Sequence, residues 1–257
     1  MPLDASTYGT KQSFSLLLIG EPFSGKTTLA CSFPNPGIID ADGKFGNAYA
    51  HHHSRNPDFK FKVWTCDNDD TGKVIPPELR WPRFLQCCNE AATDPWVKTI
   101  IPDSATKISQ YLQDFIVAQP SATKDLTVGG TKMMTQNHWY PFQILLQRTI
   151  AGLNACGKNV IMPVHIRTDK DEVSGTLIYR PSVPGSTGES MGKMFNNFWL
   201  CQAKPCQPDA KYPRGVKYVV TTSPTSRLSL GSAIPSLPPE FEFSWDSFKA
   251  LVPWLPQ

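Results

Sequence analysis

Gly20-Glu21-Pro22-Phe23-Ser24-Gly25-Lys26-Thr27 matches the pattern G-x-x-x-x-G-K-[ST]. Each part of that pattern serves phosphate binding. The glycines let the backbone wrap so that its N–H groups point inward as an anion nest. A helix starting near Lys26 adds the positive end of its dipole. Lys26 brings a point charge to a β- and a γ-phosphate, and Thr27 offers a hydroxyl to Mg²⁺. A Gly-Ser turn that happens to precede Lys-Thr would be the plain alternative. The expected ligands are a nucleoside triphosphate and Mg²⁺.

Such a site needs a second carboxylate for the metal, carried at the end of an apolar strand. Thr99-Ile100-Ile101-Pro102-Asp103-Ser104 supplies Asp103. Asp103 and Ser104 also immediately precede a predicted helix, so a capping role can coexist with the metal role. Pro102 has no N–H and is expected near the strand's end. Hydrolysis also needs a group that orients or deprotonates water. Ile38-Ile39-Asp40-Ala41-Asp42-Gly43 offers two acids. They alternate, so in a continuing strand they point to opposite faces and one could face the γ-phosphate. A solvated Asp-Gly turn is the alternative there. His165 follows the apolar run Asn159 to Val164, at the strand end where ligands of open α/β sheets bind. It is either a γ-phosphate sensor or an ordinary hydrogen-bonded surface histidine. His51-His52-His53 reads as loop, because consecutive side chains rarely converge on one ion.

These residues need elements to carry them. Phe14 to Ile19, Gly37 to Asp40, Val97 to Ile101 and Asn159 to Val164 are short apolar runs without helical period, as in strands buried on both faces. Phe59 to Thr65 and Val216 to Thr221 are further strand candidates. Helices are expected from Lys26 to Phe33, Pro82 to Ala92, Ser104 to Val117 and Trp139 to Cys156. The last repeats Phe142, Leu145, Leu146, Ile150 and Leu153 on one face and is followed by Gly157. Residues 67–78, 118–136 and 166–193 are polar or glycine-rich and read as loops. Strands alternating with helices predict an α/β fold with a mainly parallel sheet flanked by helices.

Composition narrows the class. A chain of 257 residues suits one large domain, or one domain with an appendage. Its 24 prolines and its charged fraction of 18% argue against a coiled coil or helical bundle. No apolar run approaches the ~18 residues that span a bilayer. No signal peptide is recognisable, so a cytoplasmic location and no membrane partner are expected. The seven cysteines, irregularly spaced and often in apolar stretches, read as reduced core thiols. The net charge of +3 is too small by itself to announce nucleic acid. It is unevenly spread, however. Residues 204–227 hold Lys204, Lys211, Arg214, Lys217 and Arg227 against Asp209 alone, a net +4.

In their order, these pieces resemble the RecA-like P-loop NTPase core, and within it the phage-type RecA-like ATPases of recombination and single-strand annealing. The resemblance covers roughly residues 13–230. It rests on Leu17 through Thr28 as the Walker A loop, Gly37 through Gly43, Ile100 through Ser104, Asn159 through His165, and Val219 through Arg227. It implies ATP bound by Gly20, Glu21, Pro22, Phe23, Ser24, Gly25, Lys26, Thr27 and Thr28, with Mg²⁺ held by Thr27 and Asp103. Asp42 then activates water, being Asp where RecA itself uses Glu. His165 senses the γ-phosphate, and Arg227 is the basic residue that reaches a neighbouring subunit's nucleotide. The chain departs from the pattern at Pro102, at Asp42 and in lacking a basic pair near 227. In RecA relatives, loops after the Walker B and sensor strands bind single-stranded DNA. Residues 118–137 and 166–193 correspond, with Arg167, Lys170, Tyr179, Arg180 and Lys193 as candidate contacts.

The resulting expectation is a Mg²⁺-dependent ATPase acting on single-stranded DNA in recombination, annealing or repair. It would assemble as a homo-oligomeric ring or filament, in the host cytoplasm if phage-encoded. Residues 1–12 would be an N-terminal arm, 13–230 the ATPase domain and 231–257 a C-terminal tail rich in proline and aromatics. A P-loop small-molecule or nucleotide kinase, and a non-catalytic nucleotide-binding assembly factor, are the competing readings.

Overall fold

The computed structural model describes residues 13–120, 126–128, 131–170, 175–210 and 212–252. The expected arm at 1–12 lies outside them. In chain order the elements are β1 (Ser15–Gly20), α1 (Lys26–Cys31), β2 (Pro36–Asp40), α2 (Phe45–Arg55), β3 (Lys62–Thr65), α3 (Pro77–Thr93), β4 (Thr99–Asp103) and α4 (Ala105–Ala118). There follow β5 (Leu126–Val128), β6 (Thr131–Met133), α5 (Gln136–Ala155), β7 (Asn159–Lys170), β8 (Leu177–Pro181), α6 (Ser186–Ser190) and a 3₁₀ turn (Met191–Met194). Then come β9 (Asn197–Pro205), β10 (Val216–Thr221), β11 (Gly231–Ser232), β12 (Glu240–Phe241) and α7 (Trp245–Leu251).

The apolar runs become the middle of one sheet, ordered β12-β10-β9-β1-β7-β4-β2-β3. From β9 to β3 neighbouring strands are parallel, while β10 and β12 add an antiparallel edge. Every residue of β1 is buried, and its side chains alternate between two cores. Leu17 and Ile19 meet the side packed by α3, α4 and α5, with Trp81, Phe84, Ile108, Leu112, Phe142 and Ile150. Leu16 and Leu18 meet Leu29 and Ala30 of α1 together with Phe14, Phe33 and Trp199. The expected α/β core with a mainly parallel sheet is therefore present. Among the described residues no helix is long and apolar enough to cross a membrane.

Four local expectations need correction. α3 starts at Pro77 rather than Pro82; Pro77 takes the first turn, where a proline's missing N–H costs nothing, and Pro82 sits inside the helix. His51, His52 and His53 lie on α2, not in a loop. That helix was hard to see because Ala48 is its one buried residue, so it has no apolar stripe. Residues 118–136 contain the antiparallel hairpin β5–β6. Within 166–193, β7 runs on to Lys170 and β8 pairs back along it, from Ile166 opposite Pro181 to Lys170 opposite Leu177. The apolar residues of both hairpins are few and set among polar and glycine residues, so no long apolar run announces them. The proline- and aromatic-rich end of the chain packs on the α1 side of the sheet. The rings of Phe243, Trp245 and Phe248 lie 5.4, 4.9 and 5.7 Å from that of Phe33.

Candidate functional site

Strand register assembles the site. Gly20 stands opposite His165, and Asp40 opposite Asp103, so the ends of β1, β2 and β4 lie beside the point where β7 passes His165. In open α/β sheets ligands bind outside these carboxyl ends.

The loop after β1 is built by close approach. A β-carbon on Gly20 would lie 2.5 Å from Ser24 Oγ and 2.6 Å from the Cys201 carbonyl oxygen. Gly25, just before α1, has φ +87°, and a β-carbon there would lie 3.0 Å from the ring of Tyr218. Only glycine takes that backbone without strain. Lys26 curls back over the loop, its Nζ donating to the carbonyls of Gly20 at 2.9 Å and Glu21 at 2.7 Å. Burial lowers its pKa, opposed by the negative groups around it, Asp103 among them. Cys201 Sγ donates to the Ser24 carbonyl at 2.9 Å from below, and burial pushes that thiol up to about 12. Ser24 Oγ is buried without a partner. Glu21, Pro22 and Phe23 form the exposed outer arc, with Phe23 90% exposed at φ +64°. The Thr28 carbonyl is tied to α2 by His52 Nε2 at 2.8 Å, which gives that histidine a structural task.

The acids from β4 and from the turn after β2 meet this loop. Thr27 Oγ1 donates to Asp103 Oδ2 at 2.5 Å. Asp103 is buried, and burial pushes its carboxyl up to about 6 despite the Thr27 hydrogen bond. Asp42 lies 3.4 Å from His165 Nε2 and accepts from Ser104 Oγ at 3.2 Å on each carboxylate oxygen. Burial pushes Asp42 upward, but His165 and Ser104 outweigh it and hold the group below the usual carboxylate range. Asp40 points elsewhere. It accepts the backbone N–H groups of Gly43 and Phe45 at 2.8 and 3.3 Å and so holds the start of α2. Of the two alternating acids, Asp42 is the one in the site. The backbone N–H groups of Ala41 and Asp42 donate to the Asp103 carbonyl at 2.8 and 3.3 Å, which fixes the turn. Tyr111 Oη donates to the Ala41 carbonyl at 2.9 Å from behind. His165 keeps a buried Nδ1 without a partner.

A hydroxyl and a carboxylate oxygen in direct contact beside a phosphate loop form a hard-oxygen pair that suits Mg²⁺. Among the described residues no group of three or more His, Cys, Asp or Glu could hold an ion. A cation here would therefore take its other ligands from phosphate and water, as Mg²⁺ commonly does.

The remaining candidates gather in a second place. Arg227 Nη1 donates to Tyr179 Oη at 2.9 Å, and the guanidinium lies 5.6 Å over that ring. Tyr179, Arg180, Lys193 and Arg227 line one groove of about 680 Å³ with Phe195 and Phe198. Arg180 is bound by Glu189 and lies 3.6 Å from Asp169, while Arg167 pairs with Asp169 at 2.9 Å. Lys170 is exposed at the far end of β7. The expected catalytic set is thus divided, with Lys26, Asp42 and His165 together and Arg227 against Tyr179.

Two side chains were missed as parts of the site. Ser104 occupies the N-cap position of α4, yet its side chain makes no cap bond and turns to Asp42 instead. Tyr218, an aromatic between Lys217 and Val219 of β10, stands against Gly25. Its exposure, between a half-buried Lys217 and a buried Val219, is a signal that only the fold reveals.

No curated protein matches the chain. Among solved structures it is similar to the KaiC-like protein PH0186 from the hyperthermophilic archaeon Pyrococcus horikoshii OT3. The identity is 13%, over 81% of this chain and 78% of that one, with a TM-score of 0.41. A family model described as an AAA domain (AAA_24) matches residues 12–229. That span takes in the phosphate loop, both acids, His165 and Tyr218, and the chain belongs to this family of P-loop ATPases.

Proposed function

We propose that the protein binds ATP with Mg²⁺ at residues 20–28, hydrolyses it, and couples that cycle to single-stranded DNA in recombination, annealing or repair. It does so as a homo-oligomeric ring or filament. The observation that carries the hydrolytic part is the meeting of Thr27 and Asp103 at 2.5 Å beside an Asp42 held by two donors. Thr27 and Asp103 would hold the Mg²⁺, which when bound neutralises phosphate charge. Lys26 is already inside the loop and needs only to exchange the Gly20 and Glu21 carbonyls for phosphate oxygens. Asp42, kept ionised by His165 and Ser104, takes the proton of the attacking water. His165 stands opposite Gly20 in the register and lies 3.4 Å from Asp42 through Nε2, so it would couple the end of the phosphate loop to the base.

The DNA part is supported by the groove that joins Tyr179 and Arg227 to Lys193. Aromatic rings beside cations suit bases and phosphates of a single strand. A phosphotransfer kinase fits less well, because Arg167 and Arg180, the arginines available for a lid, are already bound by Asp169 and Glu189. The test is ATP turnover with and without single-stranded DNA. We expect stimulation of turnover, and DNA binding that tightens with an ATP analogue and weakens steeply with salt. No stimulation together with no ATP-dependent DNA binding at low salt would remove the DNA part.

A further inference from the structure

The phosphate loop has an aromatic neighbour that phosphate binding does not require. Tyr218 lies on β10, opposite Ala203 of β9, and is 51% exposed. Val220, two residues on and therefore on the same face of the strand, is buried in the core that includes Leu29 and Ala30 of α1. Tyr218 consequently stands on the α1 side of the sheet, where its ring meets the loop. A β-carbon on Gly25 would be 3.0 Å from Cδ1 of that ring and 3.5 Å from Cγ and Cε1.

The polarity of the site decides what the ring faces. Asp103 and the Asp42–His165 pair sit at β4, at β7 and just past β2, all on one side of β1. These groups mark the γ-phosphate end of a triphosphate held by Lys26 and Thr27. The nucleoside end then points to the other side of β1, where β9 and β10 lie. There the half-exposed ring of Tyr218 stands against the loop at Gly25, while Phe23, 90% exposed, lies on the loop's outer arc.

We propose that Tyr218 is the platform on which the nucleotide's base stacks. This rests on the nucleotide-binding reading given above and adds the residue that recognises the base. A flat π-face accepts any base and favours the larger purines. The ring, and not its hydroxyl, carries the contact.

The experiment measures binding of ATP and of inorganic tripolyphosphate to the full chain by calorimetry. It compares the native protein with Tyr218→Ala, Tyr218→Leu and Tyr218→Phe. Leucine keeps bulk beside Gly25 but offers no ring, so it covers the case in which alanine disturbs the loop. We expect the alanine and leucine variants to bind ATP about tenfold more weakly. Their tripolyphosphate affinity should be unchanged, and Tyr218→Phe should match the native protein. The proposal is overturned if Tyr218→Leu binds ATP like the native protein. It is also overturned if ATP and tripolyphosphate weaken together, since the ring then only props the loop. A native protein that binds neither ligand would refute the nucleotide reading itself, and the base platform with it.

Discussion

Two carboxylates at neighbouring strand ends are held in opposite ways. Burial pushes Asp103 up to about 6, while the donors His165 and Ser104 keep Asp42 low in spite of burial. The folded-state pKa of Asp103 lies above its ordinary 3.8, so ionising it costs the folded protein. That cost is absent below about pH 4, grows as the pH rises towards 6 and is fully present above it. Asp103→Asn should therefore raise the melting temperature of the metal-free protein at pH 8, by about 5 °C. The gain should shrink as the pH is lowered to 4, and Mg²⁺ should stabilise the native protein more than the variant. Thermal melts in chelator and in Mg²⁺ check this; equal melting temperatures at pH 8 in chelator would refute it. At this scale the phosphate loop was legible because its pattern is linear. Ser104 was not, because a serine at a helix start reads as a cap until its partner, 62 positions earlier, is known. Arg227 likewise takes its place from Tyr179, 48 positions away.

Elements were legible where burial leaves a mark in one stretch of chain. β1, β2, β4 and the first half of β7 are buried on both faces and read as unbroken apolar runs. The β7–β8 hairpin and α2 are stabilised by backbone pairing and by the Asp40 carboxylate, neither of which leaves an apolar pattern. The packing of the last segment was also invisible, since its aromatic residues could serve any surface. In the fold Phe248 is fully buried, its ring 5.5 Å from Phe14 and 5.6 Å from Trp199. Phe248→Ala should destabilise the protein by about 3–5 kcal/mol. Urea unfolding reads this as a lowered midpoint with an unchanged slope. A loss below about 1 kcal/mol, the size of a surface change, would mean that this segment adds little to the core.

For the whole molecule, the sheet separates two kinds of chemistry. Its carboxyl ends gather the phosphate loop, the two acids and His165, while the β8 side carries the groove of Tyr179, Lys193 and Arg227. The small net charge of +3 hides this division. Part of the basic stretch 204–227 is also neutralised within the fold, where Lys204 pairs with Glu240 across the antiparallel edge. β7 joins the two regions, since His165 touches Asp42 and Ile166 to Lys170 pair with β8. In the proposed cycle β7 would be the continuous strand leading from one region to the other. The proposed cycle depends on the acids at the carboxyl ends performing hydrolysis. The most direct measurement is Mg²⁺-dependent phosphate release from ATP, with ATP affinity measured alongside, for the native protein, Lys26→Ala and Asp42→Asn. Turnover by the native protein and loss of ATP binding in Lys26→Ala are expected. Asp42→Asn should bind ATP normally with turnover reduced about 100-fold or more. Turnover by Asp42→Asn at the native rate, or undiminished ATP binding by Lys26→Ala, would contradict the proposed cycle.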